Sequence, residues 1–135
     1  MADLAAWIVL AAESGTGGTY NAVDRPTTRT TLFETCRDVA GSDAEPVWVD
    51  GDFLAAQEVG EWMELPLWLH DPQYAGMLAV DPAAAFAAGL EARPLAETVR
   101  DTLAWLRSGE APADPPAGLA RAKEQTVLDA WLSKR

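Results

Sequence analysis

Residues 61–76 (EWMELPLWLHDPQYAG) constrain this chain more than any other stretch. Trp62, Met63, Leu65, Leu67, Trp68 and Tyr74 crowd into it, yet they follow neither a helical nor an alternating period, and Pro66, Pro72 and Gly76 interrupt the backbone. The segment therefore reads as a loop or broken helix with a large apolar load. Such a load serves either as a lid over a core or as the wall of a ligand pocket or protein interface, where large amphipathic rings contribute most. The two uses carry equal weight, and the rest of the chain must supply the frame.

That frame is mostly helical. Leu4, Trp7, Ile8 and Ala11 recur on one helical face, with Asp3 as the expected cap and Gly15 as the stop. A cap this close to the first residue reads as a cut end. Thr31 and Glu34 have capping-box spacing for a second helix that turns Leu32, Phe33, Cys36, Val39 and Ala40 inward and ends at Gly41. Asp50 or Asp52 caps a brief helix through Phe53 and Leu54, and Asp81-Pro82 opens an Ala-rich one ending at Gly89. After Arg93-Pro94 the strongest pattern, 95–107, presents Leu95, Val99, Thr102, Leu103 and Leu106, with Trp105 beside them. Three β-rich runs, 19–23, 46–49 and 77–80, read as short strands. The expectation is an α+β fold: a small, mostly helical domain over 1–108 with two to four short strands. A Pro/Ala linker over 109–118 follows, then an amphipathic helix within 119–135 that docks or serves as a partner arm.

Composition excludes several classes. The net charge of −11 disfavours nucleic acid, whose binding rests on clustered Lys and Arg. One Cys cannot form an intramolecular disulfide, so a cytoplasmic protein is expected. No run approaches the ~18–20 apolar residues of a membrane span. One Cys and one His leave a zinc site short of its usual ligands. Both lysines, Lys123 and Lys134, lie near the C-terminus, so no catalytic Lys stands in the body of the domain.

Candidate sites follow. Gly15-Thr16-Gly17-Gly18 ends a helix instead of opening one, which fits a C-cap and turn far better than a phosphate loop. Asp50 to Glu61 has the length of a calcium loop but places Leu54 and Ala55 where a ligand and a Gly are needed. Glu58, Glu61 and Glu64 read as a solvated acidic helical face. Cys36 reads as a small core residue. His70 is the natural acid–base candidate, with Asp71 adjacent and Trp68 and Tyr74 as walls, although a lone loop His is more often structural. Arg93 is suited either to clamp an anion or to cap a carbonyl.

The ordered set DLAAWIVLAAE, GTYN, VWVD, WMELPLW, VDPAAAFAAGL and RPLAETVRDTLAWL, spanning residue 3 to about 107, resembles the C-terminal portion of extended short-chain dehydrogenase/reductases. It is most similar to bacterial NAD-dependent epimerase/dehydratase-type oxidoreductases. In that family a Rossmann domain holds NAD or NADP and carries a glycine turn and a Tyr-x-x-x-Lys pair, while the C-terminal part supplies the substrate pocket. Neither motif is present: Tyr20 is followed four positions on by Asp24, and Tyr74 by Leu78. The resemblance thus implies no cofactor-binding or catalytic residue in this chain. It implies a substrate-binding fragment, inactive alone, whose small-molecule substrate is shared with a missing Rossmann domain. Trp62, Met63, Trp68, His70 and Arg93 are the expected substrate contacts. Apolar surface left uncovered by that domain makes a homodimer an expected assembly. The alternative is a free-standing, non-enzymatic binding or interaction domain derived from the same lobe.

Overall fold

Side-chain caps open α2 and α3, at Arg29 and Gly51, in the computed structural model, which describes residues 2–112 and 117–134. Six α-helices follow in order: α1 (Ala2–Ser14), α2 (Arg29–Ala40), α3 (Gly51–Ala56), α4 (Ala83–Ala87), α5 (Leu95–Ser108) and α6 (Arg121–Leu132), with a 3₁₀ turn at Pro72–Tyr74. Part of the expected linker, residues 113–116, lies outside the described residues, as do Met1 and Arg135.

The expected α+β class is overturned, because no strand forms among the described residues and the chain is helical. A strand needs a neighbouring strand to take its N–H and C=O groups, and among the described residues none of the three candidate runs forms such a ladder. Residues 19–23 are held by side chains instead: the Tyr20 hydroxyl donates to the Gly17 carbonyl at 2.9 Å, and Asn21 Nδ2 donates to the Asp81 carbonyl at 3.2 Å. Val47 and Trp48 in the second run, and Met77 and Leu78 in the third, are exposed, with no opposing sheet face to cover them. An isolated bridge between Glu61 and Leu65 closes a turn.

Three caps differ from expectation: the N-cap of α4 is Pro82, not Asp81, one residue later than the Asp-Pro pair implies. Asp3 lies inside α1, and its carboxylate is turned to Arg93. In α2 the cap is Thr28, whose hydroxyl accepts from the Thr31 N–H at 3.0 Å, so the helix starts one turn before the Thr31–Glu34 box. Its end is the expected one: Gly41 sits at φ 63°, where a Cβ would be penalised, and Ser42 N–H returns to the Arg37 carbonyl. Asp50 caps α3 with bonds from the Asp52 and Phe53 N–H groups.

The chain divides into two compact units, Met1–Ala44 with Met77–Glu110, and Glu45–Gly76 with Ala111–Arg135. In the first, α2 packs on α5, with Leu32, Cys36, Val39, Leu95, Val99 and Leu103 half-buried. The other expected inward residues, Phe33, Ala40, Thr102, Trp105 and Leu106, are exposed. A second cluster gathers Trp7, Ala85 and Leu90, with Leu4, Tyr20, Phe86 and Ala88 around them. Trp7 meets Tyr20 edge to face at 5.4 Å and donates its Nε1–H to the Ala88 carbonyl at 2.9 Å. Only the Trp7 stripe of α1 is covered; Ile8, Val9 and Leu10 face solvent.

The second unit is built around Phe53, Leu54, Val59, Trp68 and Val127, with Val49, Leu65, Leu119, Ala130 and Trp131 packed against them. Helix α6 docks here. Trp131 lies against Phe53 with ring centroids 5.0 Å apart, and the Lys134 ammonium sits 4.3 Å from the Phe53 centroid.

Candidate functional site

The aromatic loop is fixed by hydrogen bonds rather than by secondary structure. Trp62 and Leu67 both hold left-handed backbone (φ 61° and 65°), a conformation that costs non-glycine residues roughly 1–3 kcal/mol each. Three bonds offset that cost: Trp62 N–H to the Trp68 carbonyl at 3.1 Å, Trp68 N–H to the Leu65 carbonyl at 3.2 Å, and Gly118 N–H to the Met63 carbonyl at 2.7 Å. One end of the loop is tied by a charge. Lys123 Nζ donates to Glu64 Oε2 at 2.6 Å and to the Glu58 carbonyl at 2.7 Å, while Gly60 N–H donates to the same Glu64 oxygen at 2.6 Å. The Lys123 ammonium, and after it the Gly60 N–H, hold the Glu64 carboxyl below its ordinary value. The three glutamates therefore do not form a helical face: Glu64 binds Lys123, Glu61 accepts the His70 N–H at 2.9 Å, and Glu58 marks the left-handed turn after α3.

A depressed carboxyl stabilises the fold above the ordinary glutamate pKa of ~4.3 and loses that contribution as pH falls through its lowered folded value. Glu64→Gln keeps an acceptor for both donors and removes only the charge. Its urea midpoint is expected below that of the wild type at pH 7, with the gap closing as the pH is lowered beneath ~4. A gap independent of pH would show that the charge on Glu64 does not matter.

On this frame the four expected contacts from the loop divide into two kinds. Trp68 is 6% exposed and belongs to the core, whereas Trp62 (41%) and Met63 (55%) are turned to solvent. His70 stacks on Trp68, with ring centroids 5.9 Å apart and an interplanar angle of 25°. Its Nε2 lies 3.0 Å from Asp52 Oδ1, with 39% of the side chain exposed. The carboxylate that orients the imidazole is therefore Asp52, from the first turn of α3. The adjacent Asp71 instead caps the 3₁₀ turn. The Asp52 carboxylate is itself 90% exposed, so the pair stands at the surface, where the imidazole can exchange a hydrogen bond with a ligand hydroxyl.

The residue that admits this geometry is Gly51. A Cβ there would stand 2.9 Å from His70 Nδ1 and 3.7 Å from Trp68 Nε1. In an open helix Gly→Ala gains about 1 kcal/mol. Here Gly51→Ala is expected to be neutral or destabilising, and to shift the His70 ring resonances and the Trp68 indole N–H. A gain of ~1 kcal/mol in chemical denaturation would mean that His70 swings freely.

Arg93, the fifth expected contact, belongs to the first unit. Its Nη1 donates to Asp101 Oδ2 at 2.5 Å, its Nε lies 3.0 Å from Asp3 Oδ1, and its N–H donates to Asp3 Oδ2 at 3.3 Å. The hydrogen bond to Asp101, with the added charge of Asp3, raises its pKa further. The guanidinium thus ties the start of α1 to α5. Sequence reading missed Asp52 and Gly51; a glycine set between two aspartates at a helix start was the available signal.

Among the described residues no group of three or more His, Cys, Asp or Glu side chains could hold a metal ion, and no helix is long and apolar enough to cross a membrane. The Gly15–Gly18 turn follows α1 and opens no helix, so these residues do not fit a dinucleotide pyrophosphate. In comparisons with known proteins, no family model, no curated relative and no solved structure matches the chain.

Proposed function

We propose that the chain is the substrate-binding part of an NAD(P)-dependent epimerase or reductase, with the cofactor and the proton-transferring pair carried elsewhere. The observation that supports this reading most is the division of the aromatic loop. Trp68 and His70 are anchored, and on that anchored frame Trp62 and Met63 are held out to solvent although the backbone at Trp62 is strained. Large apolar side chains displayed at such a cost favour a binding surface over a lid. The His70–Asp52 pair adds a directional polar contact suited to a ligand hydroxyl or carbonyl, the groups that hydride-transfer chemistry interconverts. The ordered motifs from DLAAWIVLAAE to RPLAETVRDTLAWL supply the family part of the reading.

The chain has six Trp residues, so its indole N–H resonances form a small set of probes. Titration with a panel of small secondary alcohols and the matching ketones is expected to move Trp62 and Trp68 first and to leave Trp7 in place. Shifts confined to Trp7 or Trp105 would overturn the assignment of the site. A second reading is a free-standing, non-enzymatic binding or interaction domain, for which the exposed Ile8-Val9-Leu10 run of α1 is available surface. Sedimentation separates the two. Self-association driven by uncovered apolar surface, and abolished by Ile8→Lys with Leu10→Lys, favours the fragment, whereas a strictly monomeric, highly soluble chain favours the free-standing domain.

A further inference from the structure

A recess lies in the first unit, beside the Trp7 cluster: an open cleft of about 390 Å³ lined by Arg25, Phe86, Leu90, Glu91 and Ala92. Leu90 is buried and Phe86 half-buried, and they give the mostly polar cleft a small apolar edge. The Arg25 guanidinium carbon lies 3.9 Å from the Phe86 ring centroid. No carboxylate pairs with that guanidinium among the described residues, in contrast to Arg93, which has two. A guanidinium lying over a ring gains cation–π attraction through its face and keeps its N–H edge for a planar oxyanion. Glu91 adds one negative charge to the lining, and the Asp24 carboxylate, which accepts the Arg25 backbone N–H at 2.6 Å, adds another beside it; both oppose a dianion more than a monoanion.

We propose that this cleft binds a small monocarboxylate with a short apolar body, its carboxylate on the Arg25 N–H edge and its carbons on Phe86 and Leu90. The volume is within the ordinary range for small-molecule sites. An open cleft with one charged anchor predicts millimolar affinity. This reading and the proposed function stand or fall separately.

The test is an amide NMR titration of the full chain with hexanoate, hexan-1-ol and inorganic phosphate. Hexanoate is expected to shift residues 25, 86 and 90–92 saturably, with hexan-1-ol and phosphate each at least ~10-fold weaker. Arg25→Gln should weaken hexanoate ~10-fold. Glu91→Gln should strengthen it a few-fold, a gain that damage to the fold cannot produce. Equal binding of the alcohol would reduce the cleft to an apolar patch, and equal binding of phosphate would reduce it to a point charge. Either result, an unaffected Arg25→Gln, or no saturable shift overturns the proposal.

Discussion

Trp68→Ala is expected to cost about 3–5 kcal/mol and to abolish the ordered aromatic loop. The ring is nearly buried among Phe53, Leu54, Val59 and Val127, and its far face carries the His70 imidazole. Its backbone also accepts the Trp62 N–H that offsets the left-handed conformation there. Truncation leaves a cavity, removes the surface on which His70 rests and weakens the turn that displays Trp62 and Met63. Small domains have only about 5–15 kcal/mol of stability in all, so the loss is a large fraction of it. Urea denaturation with amide exchange resolved along α3 and α6 measures the effect. A loss below ~1 kcal/mol would mean that Trp68 is not part of the core.

Trp7→Ala is expected to have a comparable effect on the first unit, again about 3–5 kcal/mol. Trp7 packs on Ala85 and Leu90, meets Tyr20 edge to face, and reaches across 81 residues of sequence to the Ala88 carbonyl. Trp7→Phe separates the contributions. It keeps an aromatic ring but removes the donor to that carbonyl, an expected loss of ~1–2 kcal/mol. Denaturation midpoints of the two variants, with exchange at the α4 amides, provide the check. Equal losses for Phe and Ala would assign the role of Trp7 to its hydrogen bond and not to its packing.

How much of this was legible in the sequence follows the range of the forces involved. The stops at Gly15, Gly41 and Gly89, the Asp50 cap and the start of α5 after Pro94 act over three or four residues, and each stands where the residues imply. The strands were misread because β-branched and aromatic residues show only that a run could pair, not that a partner exists. Tyr20 is spent on Trp7 instead, and Val47 lies exposed. The site divides in the same way. The loop and its aromatic residues were visible as an aperiodic cluster, but the orientation of His70 depends on Asp52, eighteen residues earlier and on another element. Sequence adjacency pointed to Asp71, which is occupied locally with Gln73. Arg93 was visible as a charge with a use, yet its partners Asp3 and Asp101 come from the two helices it joins.

The proposed function has this chain bind a substrate while the nicotinamide cofactor is held elsewhere. Calorimetric titration of NADH into the full chain tests it most directly. The account predicts no saturable heat; saturable binding at micromolar affinity would contradict it.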